Sequence, residues 1–173
     1  MQHFFWQPWI CWGVMLFCAN TVSGRDPDRV VDVWPGMAPG ETTKNVGTAV
    51  PTRVVERPTT TRMGNITCPT LSFYEPPASK KNGAAVLIMP GGGYNYVVVD
   101  KEGSEVAEWL NQQGITGVVL RYRTKDMSTP VWQRPLQDAQ RSMSRIRAQA
   151  AELKYDPQRI GVTGASGGGT QTM

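Results

Sequence analysis

The sequence predicts an α/β domain of three layers, in which a mostly parallel sheet lies between helices. Apolar strand segments alternate with amphipathic helical segments from about residue 84 to 163, an order typical of parallel sheets covered on both faces. Glycine-rich turns follow two of these strands. The 173 residues suffice for one domain, and a content of 40% hydrophobic and 18% charged residues is that of an ordinary globular chain.

Four short runs predict the strands. Residues 71–74 alternate in polarity, and residues 84–89 and 117–122 are nearly continuous apolar runs, as expected for strands buried on both faces. Residues 159–163 form the fourth run, directly before a glycine-rich turn. We therefore expect these strands to form one sheet.

Two amphipathic segments predict the helices. Residues 101–113 place Val106, Trp109 and Leu110 on one apolar face, which we expect to be buried in the core. Residues 135–154 begin with proline and carry apolar residues at three- and four-residue steps. Each helix follows one strand and precedes the next, which completes the alternation.

Two segments precede the predicted sheet. Residues 1–24 contain the uncharged run Trp9–Ala19 followed by small residues, which predicts a cleaved signal peptide and a secreted or periplasmic protein, with an uncleaved anchor as the alternative. Residues 25–66, rich in Pro, Thr and Gly, predict an extended lead-in. Cleavage would leave Cys68 as the only cysteine, so no internal disulfide is expected.

The distribution of charge along the sequence limits the classes of partner to be expected. The net charge is +4, but Lys and Arg are scattered, whereas a nucleic-acid or membrane-surface partner favours a basic block or stripe. We therefore expect neither of these partners. The sequence has no Cys/His cluster with metal-ligand spacing, so we expect no bound metal, and no cofactor is indicated. The oligomeric state is not predicted.

Gly164-Ala165-Ser166-Gly167-Gly168 fits the pattern G-x-S-x-G after the last predicted strand. A nucleophilic serine on a sharp strand-to-helix turn adopts strained backbone angles, and its neighbours pack too closely for side chains. The pattern predicts Ser166 as a nucleophile. The N–H of Gly167 would then donate to the oxyanion of an acyl-transfer transition state.

A second glycine run would supply the remaining oxyanion donors. Gly91, Gly92 and Gly93 follow the strand at residues 84–89, at the end of the sheet where α/β proteins bind ligands. We expect Gly92 and Gly93 to donate N–H groups and Tyr94 to contact the substrate. A flexible turn without function is the alternative interpretation.

Five longer motifs follow one another along the chain: PGGGY at Pro90–Tyr94, EGSEVAEWLN at Glu102–Asn111, VVLRYR at Val118–Arg123, PLQDAQR at Pro135–Arg141 and DPQRIGVTGASGGG at Asp156–Gly169. Together they resemble the esterase/lipase branch of the α/β-hydrolases that includes acetylxylan esterases and related carbohydrate esterases. The resemblance runs from about Val33 to Met173 and implies the α/β-hydrolase fold, Ser166 as nucleophile and an ester as substrate. We expect an acylated carbohydrate, such as an acetylated plant or algal polysaccharide, with another small ester as the alternative. Members of this group generally have a histidine where this chain has Gly169.

The rest of a catalytic triad is missing from the sequence. In this fold the order is Ser, then Asp or Glu, then His, but the only histidine is His3, inside the predicted signal. Met173 falls in the first turns of an expected helix, so we interpret residues 67–173 as the N-terminal part of a domain truncated after the nucleophile turn, and inactive alone. A natural non-catalytic relative is the alternative.

Two other functions remain open. Thr163–Thr170 is close to the TGxxxGxG loop of short-chain dehydrogenases, in which N–H groups bind the pyrophosphate of NAD(P). Thr170 replaces the last glycine of that pattern, and the loop follows several βα units instead of the first strand. The third possibility is a secreted, carbohydrate-associated module without catalysis.

Overall fold

A computed structural model describes residues 25–51, 55–56, 59–124, 130–170 and 172. The predicted signal segment, residues 1–24, lies outside the described residues. Within the described ranges, no helix is long and apolar enough to cross a bilayer. In chain order the elements are β1 (Arg29–Asp32), β2 (Thr48–Val50), β3 (Arg62–Gly64), β4 (Thr70–Tyr74), β5 (Ala85–Met89), β6 (Tyr96–Val98), a π-helical turn (Asp100–Ser104), α1 (Glu105–Gln112), β7 (Thr116–Arg121), α2 (Gln133–Ala148), a 3₁₀ turn (Pro157–Arg159), β8 (Ile160–Gly164) and α3 (Ser166–Thr170).

The central sheet has five strands in the order β1-β4-β7-β5-β8. β7, β5 and β8 are parallel, while β4 runs antiparallel to both of its neighbours. Ala107 and Leu110 of α1 pack on the face that carries Ile88. Residues of α2 pack on the opposite face, against Leu87 and Met89. The predicted three-layer α/β architecture is therefore confirmed.

Most element bounds agree closely with the sequence predictions, but both helices are shorter. The residues predicted to start the first helix, 101–104, lie in the π-helical turn, and α1 begins at Glu105. α2 ends at Ala148, where its cap residue Gln149 leaves the helical angles with a ψ of 7°, and the turn that follows places Lys154 at a left-handed φ of 58°. The apolar spacing in the sequence continues beyond the end of α2 because Ala150, in the turn after the helix, is also buried.

The prediction that Trp109 lies in the core is wrong. The Trp109 side chain is 60% exposed, whereas Ala107 and Leu110 are buried. At about 3.6 residues per turn, Trp109 lies roughly 200° around the helix from Ala107, which faces the sheet. The apolar face of α1 is thus narrower than the sequence pattern indicates.

The segment 25–66 contributes three strands for which the sequence shows no period. β1 pairs with β4 at the edge of the central sheet, and β2, β3 and β6 form a separate antiparallel sheet. The segment also binds α2: Trp34 Nε1 donates to Asp138 Oδ1 at 2.8 Å, and Arg145 Nη1 donates to the carbonyls of Asp32 and Val33. Val33 is fully buried.

A buried ion pair joins the segment that follows β7 to α2 and to the N-terminal segment. Arg123, 1% exposed, donates from Nε to both carboxylate oxygens of Asp138, at 3.1 and 3.0 Å, and Asp138 is fully buried. Arg123 Nη1 donates to the carbonyl of Pro39 at 2.7 Å. Burial raises the pKa of Asp138, and the hydrogen bonds from Arg123 oppose that shift. The pair therefore holds three segments together at the carboxyl end of β7.

Candidate active site

Ser166 lies on a sharp turn between a strand and a helix. β8 ends at Gly164 and α3 begins at Ser166, whose φ is 48°. This left-handed conformation is uncommon and strained for a residue with a Cβ. The N–H of Ala165 donates to the carbonyl of Met89 at 3.2 Å, which ties the turn to the end of β5. The Ser166 side chain is exposed.

Steric constraint explains the glycine two residues after the serine. A Cβ added to Gly168 would lie 2.0 Å from the carbonyl oxygen of Met89, and that backbone cannot move aside cheaply. Glycine is therefore required where α3 packs against the end of β5. The sequence pattern thus has a geometric cause in this chain.

The second glycine run directly follows β5. Gly92 has a φ of 144°, and a Cβ added there would lie 1.8 Å from the carbonyl oxygen of Tyr96. The carbonyl of Gly92 accepts the N–H groups of Asn95 and Tyr96, at 3.1 and 3.4 Å. Within the described part of the chain, no hydrogen bond takes the N–H of Gly92 or Gly93. The prediction that both groups donate to an oxyanion requires them to be unpaired, as they are among these residues.

The glycine run and the serine turn are in contact. A Cβ on Gly167 would lie 3.5 Å from the N atom of Gly93 and 3.6 Å from Cε1 of Tyr94, and one on Gly91 would lie 3.1 Å from Cβ of Ser166. The structure thus brings together the residues that the sequence singles out. Their roles as nucleophile, oxyanion donors and substrate contact stay predictions.

Two residues that the sequence does not single out support this region. The Tyr122 hydroxyl, fully buried, donates to the carbonyl of Pro90 at 2.8 Å, and its ring lies 6.4 Å from that of Tyr94. Burial raises the pKa of Tyr122, so the hydroxyl stays protonated as a donor. Glu102 Oε2 accepts the N–H of Gly91 at 2.7 Å. Both residues belong to motifs of the resemblance, which is the only sequence signal that points to them.

The described ranges contain no histidine and no group of three His, Cys, Asp or Glu residues that could hold a metal ion. His3, the one histidine of the sequence, lies outside the described residues. Nucleophilic attack by Ser166 with backbone N–H groups as oxyanion donors stays the chemistry that the sequence predicts for this site.

A glycine substitution tests the loop. Gly92→Ala is expected to lower kcat for ester hydrolysis by about 10²–10³-fold, the loss typical of removing an oxyanion donor, because the Cβ would displace the loop. Steady-state kinetics on a small acetyl ester would measure it in the product of the complete reading frame. Gly36→Ala is the matched control, because a Cβ at Gly36 meets nothing within 4 Å. Equal kcat values in the two variants would contradict the prediction that Gly92 is an oxyanion donor.

With this geometry established, comparison with known proteins identifies the family. The model of the BD-FAE family matches residues 71–172, which span the central strands, both glycine turns and Ser166. The chain belongs to the BD-FAE family. Its fold is that of the α/β-hydrolases, as the motifs predict.

Relatives of this BD-FAE chain include an acetylxylan esterase and an endo-1,4-beta-xylanase. It is 32% identical over 88 residues to an acetylxylan esterase of Xylanibacter ruminicola, a match covering 51% of this chain and 18% of the relative. It is 33% identical over 84 residues to endo-1,4-beta-xylanase B of Butyrivibrio fibrisolvens, covering 48% and 13%. Both matches leave most of the relative uncovered.

Solved structures with the same fold include esterases. An acetyl ester-xyloside bifunctional hydrolase from Caldicellulosiruptor lactoaceticus superposes with a TM-score of 0.57 and 26% identity, covering 87% of this chain and 47% of that one. An esterase of Thermogutta terrifontis superposes with a TM-score of 0.54 and 22% identity, covering 70% and 43%. The BD-FAE chain spans less than half the length of each relative named here.

Proposed function

We propose that this protein is a serine esterase that removes acetyl groups from carbohydrates. One observation carries the proposal: Ser166, on a strained strand-to-helix turn, lies against a glycine loop whose Gly92 and Gly93 N–H groups have no partner in the described residues. Packing alone does not require both features. Acyl transfer requires both, since the nucleophile and the oxyanion donors must reach the same carbonyl.

The proposed reaction has two steps. Ser166 Oγ adds to the ester carbonyl carbon while its proton passes to the histidine of the triad, and the oxyanion accepts hydrogen bonds from Gly167 and from Gly92 or Gly93. Collapse breaks the bond to the sugar oxygen, which takes that proton from the histidine and leaves as the alcohol, and the serine stays acetylated. Water then releases acetate and restores Ser166. We assign the acid and histidine of the triad to sequence outside these 173 residues, so that the chain alone is inactive.

The substrate proposal rests on the relatives. One of them is an acetylxylan esterase and another is an acetyl ester-xyloside hydrolase. An acetylated xylose-type oligomer therefore fits best. We also propose that residues 1–24 are a cleaved signal peptide, which agrees with a polymeric substrate outside the cell. An intact Met1 on the exported protein would rule out the cleavage.

Acetate release tests the proposal. The product of the complete reading frame is expected to release acetate from acetylated xylo-oligosaccharides, followed by NMR of the acetate methyl signal. The 173-residue chain alone is expected to release none above a Ser166→Ala control, because its one histidine, His3, lies in the predicted signal peptide and not after the serine as a triad requires. Binding of NAD(P)H without acetate release would favour the dehydrogenase. Binding of the oligosaccharide without release would favour the non-catalytic module.

A further inference from the structure

We propose that Glu102 and Tyr122 are positioning residues that fix one peptide plane at the base of the oxyanion loop. The proposal rests on the proposed esterase function. The plane is the peptide bond between Pro90 and Gly91, which joins β5 to the glycine run. Its carbonyl accepts the Tyr122 hydroxyl at 2.8 Å, and its N–H donates to Glu102 Oε2 at 2.7 Å. Both polar ends of one peptide unit are therefore occupied by side chains.

Each side chain is itself held in place. Tyr122 is fully buried directly after β7, so its hydroxyl approaches from the neighbouring parallel strand. Glu102 lies in the π-helical turn Asp100–Ser104, a rare conformation that is frequent at functional sites. The bond to Glu102 joins a carboxylate to a backbone N–H, the stronger class of hydrogen bond. The two supports thus come from different elements of the domain.

A glycine run needs this support more than other sequences do. Gly91, Gly92 and Gly93 have little intrinsic preference for the observed backbone angles, so rotation of the first peptide would redirect the N–H groups that follow it. The plane also lies against the nucleophile, since a Cβ on Gly91 would be 2.9 Å from the carbonyl oxygen of Ala165 and 3.1 Å from Cβ of Ser166. Fixing the plane therefore sets the position of the donors relative to Ser166.

The hydrogen bonds distinguish the role of Gly91 from the roles of Gly92 and Gly93. The N–H of Gly91 is used by Glu102, and its carbonyl accepts the N–H of Val98 at 3.0 Å. Gly91 is therefore an anchor, and Gly92 and Gly93 are left to donate to the oxyanion. The geometry makes Glu102 and Tyr122 supports that do not touch the substrate themselves.

Paired variants in the product of the complete reading frame test the proposal. Tyr122→Phe and Glu102→Ala are each expected to lower kcat for acetyl ester hydrolysis about tenfold, the scale of one lost hydrogen bond, with KM nearly unchanged. Glu102→Gln keeps an oxygen acceptor and is expected to restore most of the kcat. Tyr155→Phe removes a tyrosine hydroxyl that donates to Glu75 instead of to the glycine loop, and Glu105→Ala removes an exposed carboxylate; both are expected to keep wild-type kinetics.

Amide exchange of Gly91, followed by NMR, gives a second readout that needs no activity. Exchange is expected to accelerate in Tyr122→Phe and Glu102→Ala but not in the two controls. If the wild-type protein releases acetate and both variants keep its kcat, the positioning role is overturned while the esterase stands. If the wild type shows no ester hydrolysis, the esterase proposal fails. If Gly91 exchange is also unchanged in both variants, the proposal that Glu102 and Tyr122 fix this peptide plane fails as well.

Discussion

Replacing Ser166 with alanine is expected to lower kcat for acetyl ester hydrolysis by about 10⁴–10⁶-fold, the loss seen when a catalytic serine is removed. KM is expected to change little, because the variant keeps the glycine loop that we propose binds the carbonyl. The measurement is steady-state hydrolysis of an activated acetyl ester by the product of the complete reading frame, corrected for the uncatalysed rate.

Two variants make this result specific. Ser144→Ala, on the exposed side of α2, removes a hydroxyl that bonds only within its own helix and is expected to leave kcat unchanged. Ser166→Gly is expected to lose as much activity as alanine while gaining stability, because glycine adopts a φ of 48° without strain. Turnover retained by Ser166→Ala would contradict the nucleophile assignment.

Arg123→Leu is expected to lower the free energy of unfolding by about 3–5 kcal/mol, because it leaves the carboxylate of Asp138 buried without its ion pair. Urea denaturation of the product of the complete reading frame measures this change. Arg147→Leu, an exposed arginine on α2, is the control and is expected to shift stability by less than about 0.5 kcal/mol. The double variant Arg123→Leu, Asp138→Leu is expected to recover much of the loss, since no charge stays buried.

The loss in Arg123→Leu is expected to depend on pH. Burial already raises the pKa of Asp138, and removing Arg123 raises it further. A carboxyl group whose pKa is higher in the folded state than in the unfolded state binds its proton more tightly when folded, so stability rises as pH falls. The deficit of the variant is therefore expected to shrink as pH is lowered toward that pKa. A deficit that grows on acidification would contradict the buried-charge explanation.

The sequence predicts those strands and helices whose apolar residues repeat at the spacing of a strand or a helix. The runs at 84–89 and 117–122 and the helices after them are long enough for their apolar pattern to define them. β1 and β2 have four and three residues in a segment rich in Pro and Thr, so their pairing depends on strands that follow later in the chain. The exposure of Trp109 was also not predictable, because it depends on which stripe of α1 meets the sheet.

The candidate site likewise has residues that the sequence predicts and residues that only the structure identifies. Ser166 and the glycines around it follow from backbone geometry, which limits the residue types allowed at each position. Tyr122 and Glu102 act on Pro90 and Gly91 through side-chain contacts across 32 and 11 residues, and no local spacing encodes these contacts. Only the folded structure identifies the two ends of one peptide as their shared target.

Covalent labelling tests the central claim most directly. The product of the complete reading frame would be incubated with a fluorophosphonate, digested and examined by mass spectrometry. We predict one adduct, on the peptide containing Ser166. It should be absent from Ser166→Ala and should form more slowly in Gly92→Ala, whose loop no longer presents its donors. An unlabelled Ser166 in a protein that binds NAD(P)H, or an adduct on another serine that accounts for the ester turnover, would contradict it.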